Sequence, residues 1–132
     1  MDQKNKHYFH LITLVNLLIA AVYLLFRYYI RVDSDFGEMP SPYQPYLQYL
    51  HILFVVPWLF IFGMLTQTHM LPKLKAGRPK KRKSGINLMV LSVLMIFSGY
   101  AIQVSSPEWM GVTHVVVSVA WLIVYLWHVL RD

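Results

Sequence analysis

The chain has 132 residues, 57% hydrophobic, 15% aromatic and only 14% charged. That is too apolar for a soluble domain of this length and points to one integral membrane domain covering residues 1–132. The net charge of +6 is carried by 12 Lys and Arg against 6 Asp and Glu, and there is no cysteine, which excludes disulfides, thiolate metal sites and covalent cofactor attachment through Cys-x-x-Cys-His.

The charges are segregated. Residues 8–26, 40–71, 84–107 and 109–130 are uncharged, and each stretch supplies the roughly 20 residues that a helix needs to cross a bilayer. Four spanning helices are expected, at about 8–30, 46–70, 85–104 and 109–130. The first apolar stretch is long and no small-residue cleavage site follows it, so it is expected to remain as a span and not to be removed as a signal peptide.

At the outer end of the first helix, Arg27, Tyr28, Tyr29 and Arg31 form an aromatic and basic anchor. The following loop, residues 32–45, carries Asp33, Asp35, Gly37, Pro40, Pro42 and Pro45, which break helices. Pro57 inside the second helix is expected to kink it and free a carbonyl one turn back. Pro72 helps to end that helix, and Gly77 with Pro79 marks the next turn. Pro107 separates the third helix from the fourth. Loops this short imply antiparallel neighbours, hence an all-α, four-helix, up-down-up-down membrane bundle. No convincing internal repeat stands out.

Orientation follows from the cations. Lys73, Lys75, Arg78, Lys80, Lys81, Arg82 and Lys83 lie between the second and third spans; with Lys4, Lys6 and Arg131, one side holds ten of the twelve Lys and Arg. The other side has Arg27 and Arg31, offset by Asp33, Asp35, Glu38 and Glu108. The positive-inside rule places both termini and the basic loop in the cytoplasm. Orientation thereby accounts for the basic run, and no nucleic-acid partner is expected.

Five of the six histidines sit in or beside apolar stretches, where an imidazole needs a polar partner and is a functional candidate by default. His114 and His128 are 14 residues apart on the fourth helix. Fourteen residues advance about 1400°, within ~40° of four whole turns, and rise ~21 Å. The two rings therefore face one way, one toward each side of the membrane. His114, Ser118, Trp121, Tyr125 and His128 form one continuous stripe at four- and three-residue steps. An aromatic stripe is more often plain packing than a cofactor wall, although small Ser118 would leave room for a flat macrocycle. Ser98 and Gly99 on the third helix permit close approach of a porphyrin or, more simply, of a neighbouring helix.

His51 lies at a depth in the second helix that matches His114 in the fourth, near the outer side. Near the inner side His128 has two candidate partners, His10 and His69. His51 and His69 are 18 residues apart and share a helix face, but that separation rises ~27 Å against ~21 Å for His114 to His128. If His51 and His114 share one centre, His69 sits ~6 Å too far inward to oppose His128. His10 meets no such mismatch and is favoured, with His69 as the alternative inner ligand or a quinone-site residue. His7 lies outside the hydrocarbon and is assigned no role.

With Gln48-Tyr49-Leu50-His51, Thr68-His69-Met70, Ser98-Gly99-Tyr100 and Trp127-His128 in place, the chain resembles the small bacterial di-haem membrane cytochromes b. These include the membrane-anchoring cytochrome subunits of formate dehydrogenases and nickel–iron hydrogenases. The resemblance covers most of the four-helix region and implies two non-covalent b-type haems, one on His51 with His114 and one on His10 with His128. It also implies electron transfer between a partner redox protein and membrane quinone, and a place in the bacterial inner membrane as an oxidoreductase subunit; the small residues Gly99 and Ser118 are the candidates to lie beside the cofactor. The chain departs from that pattern in being short, with no partner-docking domain and with His69 as an extra histidine. Two other classes compete: a structural or assembly subunit of a membrane complex, and a small four-helix transporter. The transporter lacks the membrane-embedded carboxylate it would need, because all six acids lie at ends or in loops.

Overall fold

The computed structural model describes residues 3–35, 37–76, 82–105 and 108–130. Gly77, Pro79, Pro107, Arg131 and the cations Arg78, Lys80 and Lys81 lie outside the described residues. In chain order the elements are α1 (Gln3–Tyr28), strands β1 (Arg31–Ser34) and β2 (Gly37–Pro40), α2 (Gln44–Leu65), a π turn (Thr66–Met70), α3 (Leu71–Lys75), α4 (Arg82–Ser105) and α5 (Glu108–Leu130). The fold class is all-α, and four helices, over Asn5–Tyr28, Gln44–Lys75, Lys83–Ser105 and Glu108–Leu130, are long and apolar enough to cross a membrane. The protein is therefore a multi-pass membrane protein with a lipid bilayer as its solvent. The contacts divide the chain into two compact units, Met1–Pro72 and Lys73–Asp132.

Little of either unit is buried in the way a soluble core is. The exposed apolar side chains form ordered stripes. On α5 one such stripe is Val112, Val116, Val119, Ile123, Leu126 and Leu130, at alternating four- and three-residue steps along one side of the helix. His114, Ser118, Tyr125 and His128 are half-buried and Trp121 is buried, so the stripe expected from sequence is the less exposed face, and His114, Trp121 and His128 on it meet α4. On α1 the exposed stripe is Leu11, Leu14, Leu18, Val22 and Leu25, while Thr13 and Asn16 on the other side are buried.

In the first unit α1 and α2 form an antiparallel hairpin. The indole Nε1–H of Trp58 donates to Thr13 Oγ1 at 3.0 Å. Asn16 Nδ2–H donates to Phe54 O at 2.9 Å and to Ile12 O at 3.2 Å. Pro57 removes the backbone N–H that would bond Leu53 O; Asn16 bonds the carbonyl next to it, Phe54 O. The start of α2 is set by a turn in which Gln44 N–H donates to Ser41 O at 3.0 Å, with Pro45 in the first helical turn, where its missing N–H costs nothing.

Three local features differ from the sequence expectation. The outer loop contains a two-stranded antiparallel hairpin, with Arg31 opposite Pro40, Val32 opposite Met39, Asp33 opposite Glu38 and Ser34 opposite Gly37. Gly37 has φ +99°, a conformation that glycine adopts without strain, and Ser34 Oγ–H closes the turn on Gly37 O at 2.7 Å. Pro40 is the last residue of its strand, where a proline is tolerated. Second, Pro72 does not end the helical path. Leu71 N–H reaches back five residues to Thr66 O, and Pro72 then occupies the first turn of α3, where no N–H is needed. Thr66 and Thr68 donate their hydroxyls to Phe62 O and Met64 O at 2.9 and 2.8 Å, a back-bonding that bends helices. Third, α1 begins at Gln3, ahead of its apolar run, because polar residues flanking a span are compatible with helix, and ends at Tyr28, short of the expected residue 30.

Candidate functional site

The second unit is an α4–α5 hairpin held by three serines. Ser98 Oγ lies 2.9 Å from His114 Nδ1, Trp121 Nε1–H donates to Ser92 Oγ at 2.7 Å, and Ser84 Oγ lies 2.8 Å from His128 Nδ1. The serines ascend α4 as their partners descend α5, which fixes the antiparallel register. The polar contacts are cross-helix and point into the hairpin. Each replaces water that the bilayer core does not supply, and an unmade bond there costs several kcal/mol by order of magnitude.

Glycine follows serine at both histidines. A Cβ added at Gly99 would lie 3.1 Å from His114 Cε1, 3.5 Å from Nδ1 and 3.9 Å from Nε2. One added at Gly85 would lie 3.8 Å from His128 Cε1. The His114 ring is thus seated against the α4 backbone in a space that only glycine leaves. Gly99 and Ser98 both lie against His114 of the neighbouring helix. The dipeptides Ser84-Gly85 and Ser98-Gly99 are 14 residues apart, as are His114 and His128. That matched spacing is a sequence signal that separate consideration of each helix overlooks.

A second repeat links the two units. In α2 the order His51, Trp58, Phe62 has steps of seven and four residues; in α5 His114, Trp121, Tyr125 has the same steps. Trp58 stacks on Phe62 with centroids 5.2 Å apart and planes 5° apart; Trp121 stacks on Tyr125 at 4.9 Å and 11°. Both tryptophans are 4% exposed and donate to a hydroxyl of the preceding helix, Thr13 or Ser92. The chain therefore does carry an internal repeat, contrary to expectation. It was hidden because only a few of its positions are identical; the shared part is the side-chain chemistry of one face.

The remaining histidines fall as follows. His51 is half-buried on α2, two turns from Trp58 and on its face. His10 is half-buried on α1, with Phe9 edge-on at 6.4 Å between centroids. His69 lies in the π turn. A π turn adds about one residue to the helical count, a phase slip approaching ~100°, so the α-helical phasing that put His69 on the His51 face is interrupted. His7 is exposed. Ser118 is half-buried on the α5 face that carries the histidines.

No group of three or more His, Cys, Asp or Glu side chains that could hold a metal ion occurs among the described residues. A haem asks for less, because the porphyrin supplies four nitrogens and the protein only axial ligands. Ligating histidines have their second ring nitrogen held by an outer-shell hydrogen bond, and here Ser98 and Ser84 contact Nδ1 of His114 and His128. The His114 environment fits such a role.

No family model, no curated protein and no solved structure matches the chain.

Proposed function

We propose that the chain is a di-haem b-type membrane cytochrome that carries electrons between a redox partner protein and membrane quinone. The observation that supports it most is the pair of serine-tethered histidines, His114 and His128, on the uninterrupted helix α5. On this reading His114 with His51 and His128 with His10 are the axial ligands, and His69 contributes to a quinone site or replaces His10. A haem iron would supply one-electron chemistry. The protein residues would do the rest: imidazoles hold the iron, Ser98 and Ser84 orient the rings, Gly99 seats one of them, and the apolar stripes exclude water.

Four whole turns separate His114 from His128 along α5, a rise of ~21 Å. Two centres so spaced would span most of a bilayer core of roughly 30 Å. The reading includes a bacterial inner membrane, cytoplasmic termini and basic loop, and a role as a quinone-linked oxidoreductase subunit. Glu108 opens α5, and no other acid lies in a candidate span, which disfavours a proton-coupled transporter. The test is a pyridine haemochrome assay on protein produced with ample haem. About two acid-acetone-extractable haems per chain are expected; a folded preparation with none overturns the proposal.

A further inference from the structure

We infer that Ser98 and the Met95 carbonyl hold His114 as the tautomer protonated on Nδ1, so that Nε2 is the nitrogen available to a metal. Ser98 Oγ carries a single proton. It is 3.1 Å from Met95 O, three residues back on the same helix, and 2.9 Å from His114 Nδ1. A carbonyl oxygen only accepts. With the hydroxyl proton given to Met95 O, Ser98 Oγ presents a lone pair to the imidazole, and the imidazole must donate.

A neutral imidazole has one N–H and one lone pair. With the proton on Nδ1, the lone pair lies on Nε2, which has no hydrogen-bond partner among the described residues. Gly99 completes the arrangement. Its missing side chain admits Cε1, the atom between the two nitrogens, to 3.1 Å from where a Cβ would be. Ring position and tautomer are therefore set by three consecutive features of one α4 face: Met95 O, Ser98 Oγ and the Gly99 gap. At His128 the Ser84 contact is equally short at 2.8 Å, and the donor there depends on the tautomer.

Use of Nε2 by a metal rests on the haem reading above; the tautomer does not. Bonding of Nδ1–H to an acceptor raises the basicity of the opposite nitrogen and favours the oxidised iron. Ser98 is accordingly a positioning residue, and its loss should raise the midpoint potential of one haem.

The experiment uses the full chain in detergent micelles, labelled with 15N-histidine, the His114 signals being identified by their loss in His114→Gln. Without haem, wild type is expected to show a protonated Nδ1 and an unprotonated Nε2. Ser98→Ala should gain the Nε2–H form, and Ser98→Thr should retain the wild-type pattern. After haem loading, Ser98→Ala should raise one of two midpoint potentials and Ser98→Thr should leave both. A wild-type His114 protonated on Nε2 overturns the inference, as does a Ser98→Ala chain with unchanged tautomer and potentials. The expected tautomer in a chain that takes up no haem upholds the inference and overturns the cytochrome reading.

Discussion

Trp121 donates its indole N–H to Ser92 at 2.7 Å, midway along α5 between the serine-bound His114 and His128. Ser92 is 1% exposed, the most buried polar side chain among the described residues. The bond fixes the hairpin register at its centre and leaves the two histidine contacts to define its ends. Trp58 and Thr13 make the corresponding contact in the first hairpin.

That bond gives the first prediction. Trp121→Phe keeps an aromatic ring stacked on Tyr125 but leaves the Ser92 hydroxyl in an apolar interior without its donor. A loss of about 1–3 kcal/mol is expected, the usual cost of stranding a buried polar group. Trp109→Phe, at a side chain 63% exposed, should stay within about 0.5 kcal/mol. Reversible unfolding in mixed micelles compares the two.

The two seat glycines should respond differently. Alanine is favoured over glycine inside a helix by about 1 kcal/mol. At Gly85 the new methyl would meet His128 Cε1 at an ordinary 3.8 Å, so Gly85→Ala should be neutral or slightly stabilising. At Gly99 it would meet His114 Cε1 at 3.1 Å, forcing the ring away from Ser98. Gly99→Ala should be the less stable variant and, on the cytochrome reading, should lose one haem. Thermal melts and haem content of both variants check this.

The inner ligand is tested by His10→Ala and His69→Ala. The first should halve the haem content and the second should keep it, since His69 is offset ~6 Å along its helix and lies in a π turn. Loss of a haem in His69→Ala alone would transfer the ligand role to His69. Pyridine haemochrome assays on both give the answer.

Orientation is testable because the chain has no cysteine to interfere. Asp33→Cys in the β-hairpin and Lys75→Cys in α3 both place a thiol at an exposed position. Neither touches the serine–histidine contacts. An impermeant maleimide applied to intact cells should label Asp33→Cys and should reach Lys75→Cys only after permeabilisation. The opposite pattern would invert the protein.

Much of the fold is legible from the chain because a bilayer imposes a one-dimensional rule. Where roughly 20 residues run without charge, a helix must form to satisfy its own backbone. The four spans, the basic segment around Lys73 and Lys75, and the polar face of α5 follow from that rule and from helical periodicity. Pro72, by contrast, was misread as a stop, because its effect depends on the π turn that places it in a first helical turn. The strands around Gly37 were missed because exposed residues of mixed character carry no burial pattern. The serine tethers were beyond sequence reach for a different reason. Ser98 and His114 are 16 residues apart, and Ser84 and His128 are 44 apart. Their meeting depends on the register of two helices, which side-chain packing sets and local propensity does not. The sequence by itself determined that imidazoles line one side of a membrane helix. The tertiary structure decided which hydroxyls hold them and which glycine makes room, because those contacts exist only once α4 lies antiparallel against α5.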